Sequence, residues 1–469
     1  MPKNPSVKTI FFLITLLLLT VWHWAILIFR IPIFFFIPGW FWGFLDKSWG
    51  NVPAFFMILV PAAIVARVVW MDTKFRFEIL FVFILSGYSM QHGFALLEGK
   101  GIDGIRNRIV ASGHAEFADI ATKQTSIWST MVHYEDLVRE HKLGSYSETK
   151  PPGQLLLYMV TERVGNAISP RSVNYERLER IANFASAVWP LISYLVLFPL
   201  FWLGRILTDE RTSLISCALY LFIPSVSLIT LHTDQVFFPL FAVVTILIGV
   251  LAMRKQSMAL GFLTGLVFYF SVFFSFGMLF LAPLIVLIAL VQGWQTRQFG
   301  DILLPLIASV AGTIVGDLVL RLTLNYDILA RFQYAVTHHE AWKHFIHAPY
   351  YVSVLGNLIE LGVWLGIPVA LLAVASFIRP AARLSLKNLT SIESFSIAFG
   401  VSVLLLDIFG KTRAEVARLW LFIVPFACLM AASQFEEMVG KERAARNFAV
   451  LLMLQLVTVY LTKVNQDFW

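Results

Sequence analysis

Long apolar runs, each near the length of a bilayer crossing, recur along this chain and are separated by short polar breaks. A membrane-spanning helix needs about 20 mostly apolar residues. Thirteen runs meet or approach that length: 10–29, 52–70, 77–97, 182–204, 212–230, 235–253, 259–275, 278–292, 302–321, 352–376, 392–410, 418–435 and 446–462. The pattern predicts an all-α, polytopic integral membrane protein with about 11–13 transmembrane helices. The run 278–292 is short. The aromatic run 31–45 contains Pro32, Pro38 and Gly39 and reads as an interfacial or re-entrant segment rather than a crossing. Ile10 to Phe29 is longer than the ~7–15-residue core of a signal peptide and lacks a small-x-small cleavage pattern, so it reads as a retained helix.

Only one stretch breaks this rhythm at length. The polar insert from about Glu98 to Arg180 is the one segment long enough to build a surface outside the bilayer. Shorter polar loops lie at about 322–351, rich in His and aromatics, and at 410–418. No internal repeat, low-complexity tract or appended soluble domain is visible.

Composition sharpens the picture. Hydrophobic residues make up 58% and charged residues 14%, with mean hydropathy +0.76, more apolar surface than a soluble domain can hide. The net charge of +7 belongs to membrane loops rather than to a nucleic-acid surface. Cys217 and Cys428 both sit in apolar runs, which argues against a disulfide scaffold or a cysteine metal cluster. With the N-terminus inside, the inner loops and N-terminal tail hold sixteen of the Lys and Arg residues and the short outer segments nine; eleven more lie in the long insert. Long loops translocate largely regardless of charge, so the short segments decide the orientation. The 98–180 insert then faces the extracytoplasmic side, and nine of the ten histidines, all but His23, fall in outer loops or at outer helix ends.

Candidate chemistry gathers on that face. In Ser112-Gly113-His114-Ala115-Glu116-Phe117-Ala118-Asp119, the spacing of three puts Glu116 and Asp119 on one helical face. A carboxylate there can act as general base toward an acceptor hydroxyl, or can simply cap a helix. Lys150-Pro151-Pro152-Gly153 suits the first turn of a helix lying against the membrane, with Lys150 placed to meet a phosphate or merely solvated. Asp234 and Gln235 stand where two apolar helices meet outside. Asp234 reads equally as a functional acid and as an N-cap. Arg413 and Arg418 flank Glu415, and fit either phosphate recognition or a bridge to that acid. Glu340, His344 and His347, at i, i+4 and i+7, have a zinc-compatible spacing, but such histidines more often only hydrogen-bond; no metal or other cofactor is expected.

Taken in order, these motifs resemble the GT-C superfamily of polyprenol-dependent membrane glycosyltransferases. The likeness is greatest to the branch holding protein mannosyltransferases, aminoarabinose transferases of lipid A and lipopolysaccharide core transferases. It rests on the early acid in the first long outer loop, on Lys150-Pro151-Pro152, on Pro224, Ser225, Asp234 and Gln235, and on Thr412 to Trp420 with its Arg418-Leu419-Trp420 helix start. It covers roughly 77–253 and 410–435. The resemblance implies one transmembrane domain over 1–469 with 98–180 as its catalytic loop. It implies transfer of a sugar from a polyprenyl-phosphate donor to an extracytoplasmic glycan, lipid or protein acceptor, with inversion. Glu116, which stands closer to the motif's start, would be the base, with Asp119 as the alternative. Lys150 and Arg413 would face the donor phosphate, His114 and Asp234 would orient hydroxyls, and Gln235 and Arg418 would complete the binding site. The superfamily often carries an adjacent acidic pair where this chain has Gly113-His114-Ala115-Glu116, which leaves open which of the two acids is the base. The competing readings are a transporter or flippase of lipid-linked sugars, whose repeated halves are missing here, and an O-antigen polymerase or ligase, whose large outer loop comes late rather than early.

Overall fold

A computed structural model describes residues 7–37, 40, 42–45, 51–71, 77–97, 101–111, 115–168, 174–228, 235, 237–297, 299–342, 349–383, 388–410 and 415–466. Among them the secondary structure is helical, apart from one isolated antiparallel bridge between Phe44 and Gln466. The chain is an all-α, multi-pass membrane protein.

Three helices come first, α1 (Val7–Phe29), α2 (Val52–Trp70) and α3 (Phe77–Leu97). A 3-10 turn at Pro32–Phe36 follows α1, and the described residues of the aromatic run 31–45 form no membrane-length helix. The long polar insert then folds as short helices: α4 (Ile102–Ala111), α5 (Ala115–Lys123), α6 (Ile127–Val132), α7 (Tyr134–Arg139) and α8 (Gly153–Ile168). The two prolines stay in the turn before α8, where their missing N–H groups cost nothing, and the carbonyl of Pro152 accepts the first helical bond from Leu156 N at 3.0 Å. Helices α9 (Asn174–Ser193) and α10 (Leu197–Leu207) run on through a 3-10 turn as one long crossing. After α11 (Glu210–Tyr220) and the single turn α12 (Pro224–Ser227) come α13 (Phe237–Arg254), α14 (Met258–Phe274), α15 (Leu281–Thr296) and α16 (Phe299–Leu324). The remainder is α17 (Ile328–Trp342), α18 (Tyr350–Leu365), α19 (Ile367–Ala381), α20 (Ser391–Ile408), α21 (Val416–Leu419), α22 (Val424–Val439) and α23 (Lys441–Asn465).

Ten helices among the described residues are long and apolar enough to cross a bilayer, and α18 with α19 make an eleventh if the bent pair is one crossing. Three of the thirteen predicted spans therefore change form; one of them, 259–275, is the 17-residue α14, apolar but shorter than the ten. The run 212–230 is no continuous helix, because Pro224 cannot donate and forces Ile223 into an extended conformation, ending α11 after 11 residues. Every residue of α11 from Thr212 to Tyr220 is buried in protein. The run 352–376 breaks at Gly366, where the axis turns by 119°. Gly366 has φ +80°, and a Cβ there would meet Oε1 of Gln455 at 2.1 Å. The Gln455 amide in turn donates to the carbonyl of Leu365 at 2.9 Å, satisfying a group that the bend removes from the helical ladder.

Close backbone packing joins α14 to α16. Gly261 and Gly265 face Pro305 and Ser309, and a Cβ on Gly265 would lie 1.8 Å from the Ser309 carbonyl. Four-residue glycine spacing of this kind lets apolar helices approach without a hydrophobic driving force between them.

The polar loops segregate to two ends. At one end Arg379 pairs with Glu437 at 2.5 Å, Arg383 with Glu393 at 2.8 Å, and Lys441 with Asp209. At the other end Trp42 donates to Glu360, Leu45 N donates to the carbonyl of Asn465, and Arg331 reaches the insert. These are the groupings that alternate crossing of successive helices requires, and the insert belongs to the second end, called here the cap end.

Candidate active site

A cavity of about 650 Å³ opens where the cap meets the helix ends. Its floor is the 3-10 turn Phe276–Phe280 with Phe422. Ser402, Leu405, Leu406 and Phe409 of α20 form one wall, and Phe332, Ala335 and Val336 of α17 another. Leu419 and Trp420 close a third side. The cap contributes Tyr146, Thr149, Lys150, Pro151 and Gln154, and the start of α13 contributes Gln235 and Phe238.

Among the described lining residues Lys150 is the one charged side chain. Its ammonium lies 4.4 Å from the centre of the Tyr146 ring, within cation–π range. Gln154 and Gln235 are each more than nine-tenths buried, and the side-chain oxygen of each has no hydrogen-bond partner among the described residues. Buried amides normally find partners, so these two oxygens, shielded from solvent behind the cavity lining, are polar groups left unanswered among the described residues. The chemistry of the cavity is one cation, a pair of amides and otherwise mainly aliphatic and aromatic walls.

The turn carrying Lys150 is held from beneath. Tyr134, buried within the cap at the start of α7, donates its hydroxyl to the carbonyls of Lys150 at 2.9 Å and Ser147 at 3.3 Å. Glu116 accepts at Oε2 from Tyr146 N (3.1 Å), Ser147 N (2.9 Å) and Ser147 Oγ (3.0 Å). Gly144 is required beside it, since a Cβ there would meet the Glu116 carboxyl carbon at 2.1 Å. The Glu116 carboxylate thus backs the cavity wall rather than lining it. Asp119 is exposed and pairs with Lys123 at 2.6 Å, one helical turn on.

Burial pushes the phenols of Tyr134 and Tyr334 above the ordinary tyrosine value. For Tyr334 the neighbouring Glu148 carboxylate adds to the shift. Both therefore serve as donors at neutral pH.

Of the residues named from sequence, Lys150 and Gln235 come together in the cavity. Arg418 is half-buried beside it and pairs with Glu415, while the next two residues, Leu419 and Trp420, line the wall. Glu360 of α18 positions α21 by accepting from Ala417 N at 3.1 Å and from the indole of Trp42 at 2.9 Å. His114, Asp234 and Arg413 lie outside the described residues, as do His344, His347 and the side chain of Glu340. Among the described residues no group of three or more His, Cys, Asp or Glu side chains is placed to hold a metal ion. Sequence reasoning missed Gln154, Tyr134 and Glu360. Gln154 stood one residue past the proline motif and was within reach of it, whereas nothing local marks Tyr134 or Glu360.

The site and fold define a multi-pass membrane protein with a mainly apolar cavity lined by both its helical cap and the ends of its helices. No protein-family model matches the chain, and no curated protein matches it. Among solved structures it is similar to the oligosaccharyltransferase of Archaeoglobus fulgidus. Against the apo form the identity is 14% and the TM-score 0.47, over 65% of this chain and 47% of that one. Against the form with Zn and sulfate the values are 14% and 0.45, over 65% and 44%. Against the archaeal oligosaccharyltransferase AglB from the same organism, in complex with an inhibitory peptide and a dolichol-phosphate, they are 13% and 0.46, over 65% and 47%. The chain matches less than half the length of each of these proteins.

Proposed function

We propose that this protein is a membrane glycosyltransferase that moves a sugar from a polyprenyl-phosphate donor to a hydroxyl of an extracytoplasmic glycan, lipid or protein acceptor, with inversion. The observation that carries the reading is that Lys150 is the one charged side chain among the described lining residues of an otherwise mainly apolar cavity, with the side chains of Gln154 and Gln235 also in the lining. A phosphate next to Lys150, sugar hydroxyls against the two glutamines and a prenyl tail along α20 and the Phe276–Phe280 turn match those surfaces in order. Lys150 would stabilise the negative charge that grows on the departing phosphate, the kind of preorganised electrostatic help that works best in a dry site. Arg413, Arg418, His114 and Asp234 belong to the same proposal on the strength of the sequence motifs. Glu116, or else Asp119, enters it as the base that takes the acceptor hydroxyl's proton as the bond from the anomeric carbon to the phosphate breaks, and Glu116 Oε2 also holds the Tyr146–Lys150 turn in place.

The test is turnover by the full chain reconstituted in liposomes. Polyprenyl-phosphate sugars should support transfer, and nucleotide sugars without lipid carrier should not. Efficient turnover from a nucleotide sugar alone overturns the reading. Mass analysis of envelope glycolipids and glycans from the host, with and without this chain, identifies the sugar and the acceptor.

A further inference from the structure

The Lys150 turn is tied to α17 by a buried cluster that neither the sequence motifs nor the cavity wall includes. Arg331, 3% exposed, donates through Nη1 to the backbone carbonyl of Glu148 at 2.6 Å and through Nε to Glu135 Oε1 at 3.1 Å, and its Nη2 also meets Glu135. Its guanidinium carbon lies 4.7 Å from the centre of the Tyr334 ring and 5.9 Å from that of Tyr134. Tyr334 closes the ring of contacts by donating to the Glu148 carboxylate at 3.1 Å. Tyr134 holds the carbonyl of Lys150 itself. Three carbonyls of the turn, those of Ser147, Glu148 and Lys150, are thereby held from one cluster.

Arg331 has a geometry few residues could supply. A guanidinium offers five donors in a rigid fork, enough to serve a carboxylate and a carbonyl together, and tolerates stacking on an aromatic face. The wall residues Phe332, Ala335 and Val336 follow it on α17. The cluster therefore sets the cavity's cation and its α17 wall in register with each other.

We propose that Arg331, with Tyr134, is a positioning residue for Lys150. It locks the Ser147–Lys150 turn onto α17, so that the lipid phosphate meets a preset ammonium group. This rests on the assignment of the cavity to a polyprenyl-phosphate ligand. Loss of the lock leaves Lys150 present but misplaced, and weakens donor binding without touching the ligand directly.

The test is a double-mutant cycle on the full chain in detergent, with undecaprenyl monophosphate as the probe and inorganic phosphate as a second arm. Lys150→Met should weaken binding of the lipid probe, and Arg331→Met should weaken it about tenfold in the wild-type background. Tyr134→Phe removes one hydroxyl and keeps the ring, so it covers the case in which Arg331→Met does not fold. It should weaken binding about fivefold. In the Lys150→Met background neither change should cause any further loss, because their effect passes through Lys150. Equal losses in both backgrounds, or no loss in the wild-type background, overturn the positioning role. A Lys150→Met variant that binds the lipid probe as tightly as wild type, or inorganic phosphate that competes as well as the lipid, overturns the assignment of the cavity instead.

Discussion

At the scale of single residues the two substitutions of Glu116 separate a base from a brace. Glutamine can still accept from Tyr146 N, Ser147 N and Ser147 Oγ, but cannot take a proton from an acceptor. If the carboxylate works as a brace, Glu116→Gln keeps turnover within about threefold, while Glu116→Ala loses about tenfold or more as the turn loosens. A base would instead show a loss of about 10²–10⁴-fold for both. Lys150→Met should lower kcat by about 10²-fold or more, as expected when a group that stabilises transition-state charge is removed. The sequence located Lys150 and Gln235 because a proline motif and a helix start are local signals. It did not show what faces Glu116, because the partners lie some thirty residues away in a turn whose shape depends on Gly144. Arg331 was likewise counted only as a charge, since its partners Glu135 and Glu148 come from another loop.

At the scale of elements the helices were legible in their apolar lengths and the breaks were not. Length and hydropathy mark 237–254 or 299–324 without help from the rest of the fold. The bend at Gly366 depends on a positive φ and on Gln455, some ninety residues later, and no local pattern announces it. Gly366→Ala should destabilise the protein by about 1–3 kcal/mol through backbone strain alone, with more from the clash against Gln455. Adding Gln455→Ala should relieve the clash but not the strain, which thermal melts of the single and double variants in detergent will separate. On the α14–α16 seam, Gly265→Leu places side-chain atoms where the Ser309 carbonyl already stands. Rigid backbone cannot yield as a side chain does, so the cost should exceed about 2 kcal/mol. The readout is early loss of monodisperse protein on heating.

At the scale of the whole molecule, sidedness is the prediction that carries most weight. Cys217 and Cys428 are fully buried, so single cysteines added elsewhere can be read against a quiet background. A membrane-impermeant thiol reagent applied to intact cells should label Lys142→Cys on the cap and spare Arg379→Cys at the opposite end. The reverse pattern would invert the topology and move the cavity to the cytoplasmic face. The brevity of α11 has a consequence for how such a chain is made. Eleven residues rise only about 16 Å, roughly half of a hydrocarbon core. This helix also carries Thr212 and Arg211, whose partner Glu436 lies in α22. Roughly 200 residues separate the end of α11 from the start of α22. At synthesis rates of about 5–20 residues per second, α11 waits on the order of ten to forty seconds for the surface that buries it. During that interval its buried length, too short to cross alone, must be sheltered by the translocation machinery or by α10, and chains that end before Val424 should be recognised as unfinished and degraded.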